Sequence, residues 1–319
     1  MAVYLVTGGA GFIGSNITLF LVKKGEKVKV IDNFLTGKKE NLSSIINKIE
    51  LIEGDIRDFK TCLEATKGVD YVLHQAALPS VPRSVETPEI TNDININGTL
   101  NILLASVKNK VKRVVYASSS SIYGDSPVLP KKEDMIPSPL SPYAVSKLTG
   151  EYYCKVFYKI YGLETVILRY FNVFGPHQDP DSQYAAVIPK FIKAMLRGER
   201  PVIYGDGEQS RDFTYIDNVV QANILATRAK NACGRVFNIA SQESITINQL
   251  VKELNCILNK NIEPKYTVPR PGDIKHSLAD ISSAKQILNY SPKIKFDEGL
   301  RRTVHWFQKW IIIFSVINK

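Results

Sequence analysis

Cysteine is scarce in this sequence and never paired: Cys62, Cys154, Cys233 and Cys256 are scattered along 319 residues and form no Cys-x-x-Cys motif. That excludes a disulfide framework and a thiolate zinc site, and reduced thiols are expected. The four histidines show no metal-ligand spacing, so no metal is expected either. Long apolar runs are also lacking. The strongest, Trp310 to Ile317, is far too short to span a bilayer, so we expect it to pack against the body or a partner subunit and expect no membrane insertion. No charged start, long apolar stretch or cleavage site precedes the first glycines, which leads us to expect a cytoplasmic protein. Acidic residues are in deficit, 31 against 41 basic, yet the surplus is spread along the chain and not gathered on one module. Nucleic acid is therefore not an expected partner.

What is present is enough apolar sequence, 44% of residues, to bury a sizeable core. The first half alternates short β-branched runs with helical patterns, the pattern of a parallel sheet covered on both faces. Strands are predicted over Val3 to Thr7, Lys27 to Asp32, Ile49 to Glu53, Tyr71 to Gln75, Arg113 to Ser118 and Thr165 to Tyr170. Helices are predicted to begin near Gly11, Leu42, Phe59, Glu89 and Pro142, with a long one over Val145 to Tyr161. The expected fold is α/β, a Rossmann-type doubly wound parallel sheet with a smaller α/β substrate lobe. Residues 1–171 would form the sheet domain, with 212–240 returning to it as helix and strand, and 172–211 with 241–319 would form the lobe.

Gly8-Gly9-Ala10-Gly11-Phe12-Ile13-Gly14 follows an apolar strand and opens a helix, the context in which such glycines bind a dinucleotide. Gly8 and Gly11 permit a tight turn and close approach to a pyrophosphate, and Gly14 lets helix and strand pack closely. Asp32 ends the second strand, 18 residues beyond Gly14, where a carboxylate accepts ribose hydroxyls and repels a 2′-phosphate. That favours NAD over NADP, although Lys38 or Lys39 nearby can instead hold such a phosphate. Asp55-Ile56, after the third strand, fits an adenine contact and also fits an ordinary turn.

Tyr143 and Lys147 lie four apart at the start of a helix and so share one face. A phenol is a poor base at neutral pH, but a neighbouring ammonium and a positive nicotinamide ring both favour the phenolate. The run Ser118-Ser119-Ser120-Ser121 brings hydroxyls to the carboxyl edge of the sheet, where ligands of such folds bind.

Together these residues resemble the extended short-chain dehydrogenase/reductases, the nucleotide-sugar epimerase branch in particular. The likeness also runs through Asp32-Asn33, His74-Gln75-Ala76-Ala77, Ser118 to Gly124, Tyr143 to Lys147, Arg169 to Gly175, Arg211-Asp212-Phe213 and Arg270-Pro271-Gly272-Asp273. From Ser141 to Asp217 the chain is similar to the UDP-N-acetylglucosamine 4-epimerases. The resemblance implies that Ser119, or Ser120 one step along, shuttles a proton between sugar and Tyr143, while Lys147 binds nicotinamide ribose. It further implies cofactor contacts at Phe12, Ile13, Asn33, Lys38, Ile56, Gln75, Ala76, Ala77 and Tyr170. Substrate contacts are implied at Ser80, Val81, Ser120, Ser121, Asn172, Ala186, Val187, Tyr204, Arg211, Arg270, Asp273 and Ser277, with the two arginines near the diphosphate. Either arginine could equally be an internal ion pair with Asp212 or Asp273. A homodimer built on a four-helix bundle, from helices near Asn92 to Asn109 and Val145 to Tyr161, is likewise implied.

The activity implied is C4 epimerisation of UDP-N-acetylhexosamines through a 4-keto intermediate, possible also for UDP-glucose. Related 4,6-dehydratases carry an Asp-Glu pair where this chain has Ser120 and Ser121, which do not titrate usefully. A 4-epimerase of the corresponding uronic acids stays open, because Arg83 is positioned in sequence to meet a C6 carboxylate. A non-catalytic NAD-binding sensor on the same fold is disfavoured by the presence of both Tyr143 and Lys147. By the resemblance, Ser277 stands where epimerases restricted to non-acetylated hexoses carry a tyrosine, so serine leaves room for an acetamido group. The alternative is that Ser277 merely begins a strand and faces away from the sugar.

Overall fold

A computed structural model describes residues 1–182, 186–269 and 275–317, with side chains as far as 309. Its centre is a seven-stranded parallel sheet. Six strands come from the first half: β1 (Val3–Thr7), β2 (Lys27–Asp32), β3 (Glu50–Glu53), β4 (Tyr71–His74), β5 (Arg113–Ser119) and β6 (Glu164–Tyr170). The seventh, Arg235–Ile239, pairs with β6, so the order across the sheet is Arg235–Ile239, β6, β5, β4, β1, β2, β3. Strand order reverses between β1 and β4, and the crevice at that switch point is where ligands of open α/β sheets bind.

The strands read as unbroken apolar runs because both sheet faces are covered. In β1, Tyr4 and Val6 enter one core and Leu5 the other; in β5, Val115 and Ala117 are opposed by Val114 and Tyr116. The expected strand bounds shift by a residue or so at their ends, β5 running on to Ser119. A larger difference lies near Leu42, where the segment Lys39–Lys48 is a 3-10 helix and not an α-helix. It buries only Leu42 and Ile45, too narrow an apolar stripe to demand full α-helical turns.

Two further helical stretches pack on one face of the sheet. Helical backbone runs from Pro88 through a π-helical turn, Asp93–Asn97, into Gly98–Lys108. The long helix Pro142–Tyr161 is capped at its start by the Ser141 side chain, which accepts the Ala144 N–H, and ends on Gly162 at φ 68°. Beyond β6 the chain forms short strand pairs: Val173–Phe174 with Thr214–Tyr215, Ser210–Asp212 with Ser244–Thr246, and Val202–Tyr204 with Lys265–Thr267. Around these lie the helices Val187–Leu196, Ile247–Leu258 and Phe296–Ile317. None of the described helices is long and apolar enough to cross a membrane.

Candidate active site

The glycine turn after β1 is dictated by space. Gly8 has φ 65°, and a Cβ there would lie 2.8 Å from the Ala76 backbone. A Cβ on Gly14 would lie 2.1 Å from the Gly8 carbonyl oxygen, so neither position accepts a side chain. Gly9, which the sequence reading passed over, is tied just as tightly, since its Cβ would meet Val30 at 2.6 Å. The helix that follows, α1 (Phe12–Lys23), starts at Gly11 without a side-chain cap, leaving first-turn N–H groups open to an anion.

Asp32 fixes the rim of this turn. Its Oδ2 accepts the Ala10 N–H and its Oδ1 the Phe34 N–H, both at 2.8 Å. Burial nevertheless raises its pKa above the ordinary carboxylate value. Each oxygen keeps a lone pair for a ribose hydroxyl, which matches the expected cofactor. Gly8, Gly11, Phe12, Ile13, Gly14, Asp32, Asn33, Asp55, Ile56, Gln75, Ala76, Ala77, Lys147 and Tyr170 all line this one cleft. Lys38 does not. Its ammonium turns outward to Asp179 at 2.9 Å, and Lys39 pairs with Glu53 at 2.6 Å. Both lysines therefore already have carboxylate partners in place of a 2′-phosphate. The Asp55 carboxylate is engaged by Arg57 and by Asn33, each at 2.8 Å, and Arg57 holds its pKa down at about 2.

The floor of the cleft is set by buried polar networks. His74, buried and pushed down to about 3, is neutral and bridges Thr7 and Thr99 at 2.7 and 2.9 Å. Thr7 in turn holds the Ala76 N–H at 3.1 Å. Tyr170 donates to Gln75 at 3.2 Å and accepts from the Asn223 amide at 2.8 Å. Asn95, inside the π-helical turn, clamps both backbone groups of Leu78 and donates to Ser146.

At the end of the cleft lined by Tyr143, the buried Lys147 ammonium donates to the Ala117 carbonyl at 2.8 Å and lies 5.9 Å from the Tyr143 ring centre. Desolvation lowers its pKa to about 8. Desolvation raises the Tyr143 phenol, and a hydrogen bond with Ser119 pulls it back down. The four serines are thereby told apart. Ser118 is buried and bonds Glu151 at 2.5 Å, Ser119 is hydrogen-bonded to the phenol, Ser120 lines a small side cavity, and the Ser121 Oγ is buried with no hydrogen-bond partner among the described residues. Glu151 also grips Arg169 with two bonds of 2.8 Å, and Arg169 reaches Tyr123, which donates to Asn238 at 2.7 Å. This network ties β5, β6 and the seventh strand directly beneath the serine run.

A second cavity gathers Asn172, Ala186, Val187, Tyr204 and Arg211, five of the residues expected around a substrate. Lys190 also lines it, a residue the sequence reading did not single out. Asp212 is fully buried, accepts the Ser241 and Ala279 N–H groups at 3.0 and 3.1 Å, and is pushed up to about 7 by burial. Its carboxylate thus serves backbone amides. Ser277 lines the small cavity with Ser120, Asn172 and Arg211. Ser80 has φ 102° and caps a short helix, Val81–Glu86, in which Val81 is exposed; both follow the cleft-lining stretch Gln75 to Pro79 and are not themselves among the residues lining it. Arg270 and Asp273 lie outside the described residues. The segment after β6, which begins the lining of the second cavity, is fastened to α1 and to the loop after β2: His177 bonds Ser15 at 2.8 Å, the Pro176 carbonyl accepts from Asn16 at 3.0 Å, and Asp179 meets Lys38.

Comparison with known proteins gives a consistent picture. The NAD dependent epimerase/dehydratase family matches residues 4–240. A UDP-glucuronate 4-epimerase from Thermodesulfobacterium geofontis is 38% identical over the whole of both chains. Among solved structures, the UDP-N-acetylglucosamine 4-epimerase of Methanobrevibacter ruminantium, in complex with UDP-N-acetylmuramic acid, is 47% identical with a TM-score of 0.93. It covers 97% of this chain and 99% of its own. The UDP-glucose 4-epimerase of Thermotoga maritima, with UDP-glucose, is 41% identical with a TM-score of 0.92 over 97% and 99% of the two chains.

Proposed function

The chain belongs to the NAD-dependent epimerase/dehydratase family, and on that premise we propose that it inverts C4 of UDP-N-acetylhexosamines. It is an NAD-dependent UDP-sugar 4-epimerase by its relatives; the N-acetyl preference is our reading. The observation that carries it is that Tyr143 and Lys147 line the dinucleotide cleft, Ser119 is hydrogen-bonded to Tyr143, and Ser277 lines a small cavity with Ser120.

The glycine turn, Asp32 and Lys147 hold the dinucleotide, which when bound supplies a reversible hydride acceptor. Tyr143 takes the proton of the sugar 4-hydroxyl, directly or through Ser119. Lys147, charged below about pH 8, favours the phenolate. Once the C4 ketone has turned its other face, Tyr143 returns the proton. Arg211 and Lys190 compensate the diphosphate and Asn172 orients it, while the narrow cleft fixes the sugar's approach.

Ser277→Tyr tests the N-acetyl assignment. A ring filling the small cavity should suppress turnover of UDP-N-acetylglucosamine by about tenfold or more relative to UDP-glucose. Equal loss on both substrates would make position 277 structural.

The assembly we propose is a homodimer through the helices Pro88–Asn92, Gly98–Lys108 and Pro142–Tyr161. Val145, Tyr152 and Val156 are 47, 54 and 42% exposed and recur at seven- and four-residue spacing on one helix face, with Ile90 exposed on its neighbour. Such a stripe is the seam of a helix bundle. Light scattering should give twice the chain mass, and Val145→Glu with Tyr152→Glu should halve it; a monomeric parent would rule the dimer out.

A further inference from the structure

Three residues from distant parts of the chain meet at the wall of the dinucleotide cleft: Gln75 after β4, Tyr170 at the end of β6, and Asn223 on the helix Ile216–Arg228. The Asn223 Nδ2 donates to the Tyr170 hydroxyl at 2.8 Å, and the Gln75 Nε2 donates to the Asn223 Oδ1 at 3.1 Å. The phenol hydrogen has two acceptors in reach, the Asn223 Oδ1 at 3.1 Å and the Gln75 Oε1 at 3.2 Å. Gln75 already bonds the Asn223 oxygen, so directing the phenol to Gln75 closes a ring in which each residue donates once and accepts once.

Asn223 is fully buried and does not itself line the cleft, whereas Gln75 and Tyr170 both do. Neither of these two lines the second cavity. The remaining Asn223 N–H donates to the Val219 carbonyl, one turn earlier in its own helix, at 2.8 Å, which anchors the ring to that helix. Burial pushes the Tyr170 pKa up, with the bonds to Asn223 and Gln75 opposing, so this phenol stays protonated at neutral pH. Taking the Asn223 amide away would leave the phenol oxygen and the Gln75 amide each short of a partner, and their single arrangement would be lost.

We propose that Asn223 is a positioning residue for the cofactor: through Gln75 and Tyr170 it holds the cleft wall in one arrangement, and tight retention of NAD through the catalytic cycle depends on it. The proposal rests on the NAD-dependent 4-epimerase reading above and adds to it a residue outside the cleft. An epimerase returns its cofactor to the starting state in every cycle and has no need to exchange it. A wall locked in advance lowers the ordering cost of binding and so favours retention.

The test compares the parent with Asn223→Leu, which keeps the size of the side chain and removes its donor and acceptor, with Gln75→Leu, and with the double variant. NAD retention is read as the cofactor absorbance left after gel filtration, the NAD concentration giving half-maximal epimerisation is titrated, and UDP affinity is measured by calorimetry. Asn223→Leu should release cofactor during filtration and need about tenfold or more NAD than the parent, the loss expected when one or two buried polar groups go unpaired. UDP affinity should stay at the parent's value, because neither ring partner lines the second cavity. Since Asn223 acts through Gln75, the double variant should be little worse than either single one. Additive losses, an unchanged NAD requirement, or a matching loss of UDP affinity would assign Asn223 to helix packing alone and overturn the proposal. Asn223→Ser, whose hydroxyl still donates and accepts, is expected to fall between the parent and Asn223→Leu, and it keeps the test readable if the apolar variant does not fold. A parent that retains NAD yet turns over no UDP-sugar removes the epimerase reading, and retention alone then decides the role of Asn223.

Discussion

Tyr143→Phe is expected to lower kcat by at least about 100-fold, the lower end of what a positioned acid–base group contributes, while UDP-sugar affinity changes little. The substitution removes one oxygen and leaves the ring against Lys147. Burial raises the phenol's pKa, and a hydrogen bond with Ser119 opposes that rise. The further lowering needed for base catalysis has to come from the Lys147 ammonium and the charge of the bound cofactor. Single-turnover measurement on UDP-glucose and UDP-N-acetylglucosamine reads the chemical step directly. Turnover within about tenfold of the parent would remove Tyr143 from the base role, whatever happened to KM.

The largest expected effect on stability comes from Glu151→Ala, about 3–5 kcal/mol, because it strands a buried cation. Glu151 and Arg169 are 1 and 2% exposed and joined by two bonds of 2.8 Å. Ser118 loses its partner in the same stroke. Replacing both charges together, Glu151→Met with Arg169→Leu, should restore much of the loss, since a well-packed apolar pair avoids the desolvation of both ions. Urea midpoints of the three proteins decide it. A single variant that loses less than about 1 kcal/mol would mean that water or another group reaches Arg169, and the pair would then not be what anchors β6 beneath the serines.

The parts of this molecule that could be read from sequence are those whose chemistry is local. The glycines before α1 are there because atoms of Gly8, Ala76 and Val30 leave no room for a Cβ, and that constraint is visible as a pattern of seven residues. Tyr143 and Lys147 are neighbours by helical spacing alone. Other features needed the fold. Nothing in the sequence pairs Lys38 with Asp179, 141 residues away, so Lys38 looked free for a phosphate. Position in a serine run does not say which hydroxyl is inward, and it took Glu151 from the long helix to claim Ser118. That the helix around Leu42 is 3-10 over Lys39–Lys48 is not legible in sequence, because a weakly apolar stretch of ten residues satisfies an α-helical template as easily as a looser one.

The segment after β6 acts, in mechanical terms, as a tie rod. It leaves the sheet edge at Asn172, forced to φ 34°, and within seven residues it is fastened to α1 and to the loop beyond β2 through His177, Pro176 and Asp179. Those contacts anchor the start of the second cavity, where Asn172, Val173 and Phe174 line it, to the two elements that flank the first. For the epimerase proposed above, such anchoring leaves the turning motion to the substrate. The ketone must swing about its own bonds to the diphosphate inside walls that do not retreat, and the sugars that succeed are those whose substituents clear the same walls in both orientations.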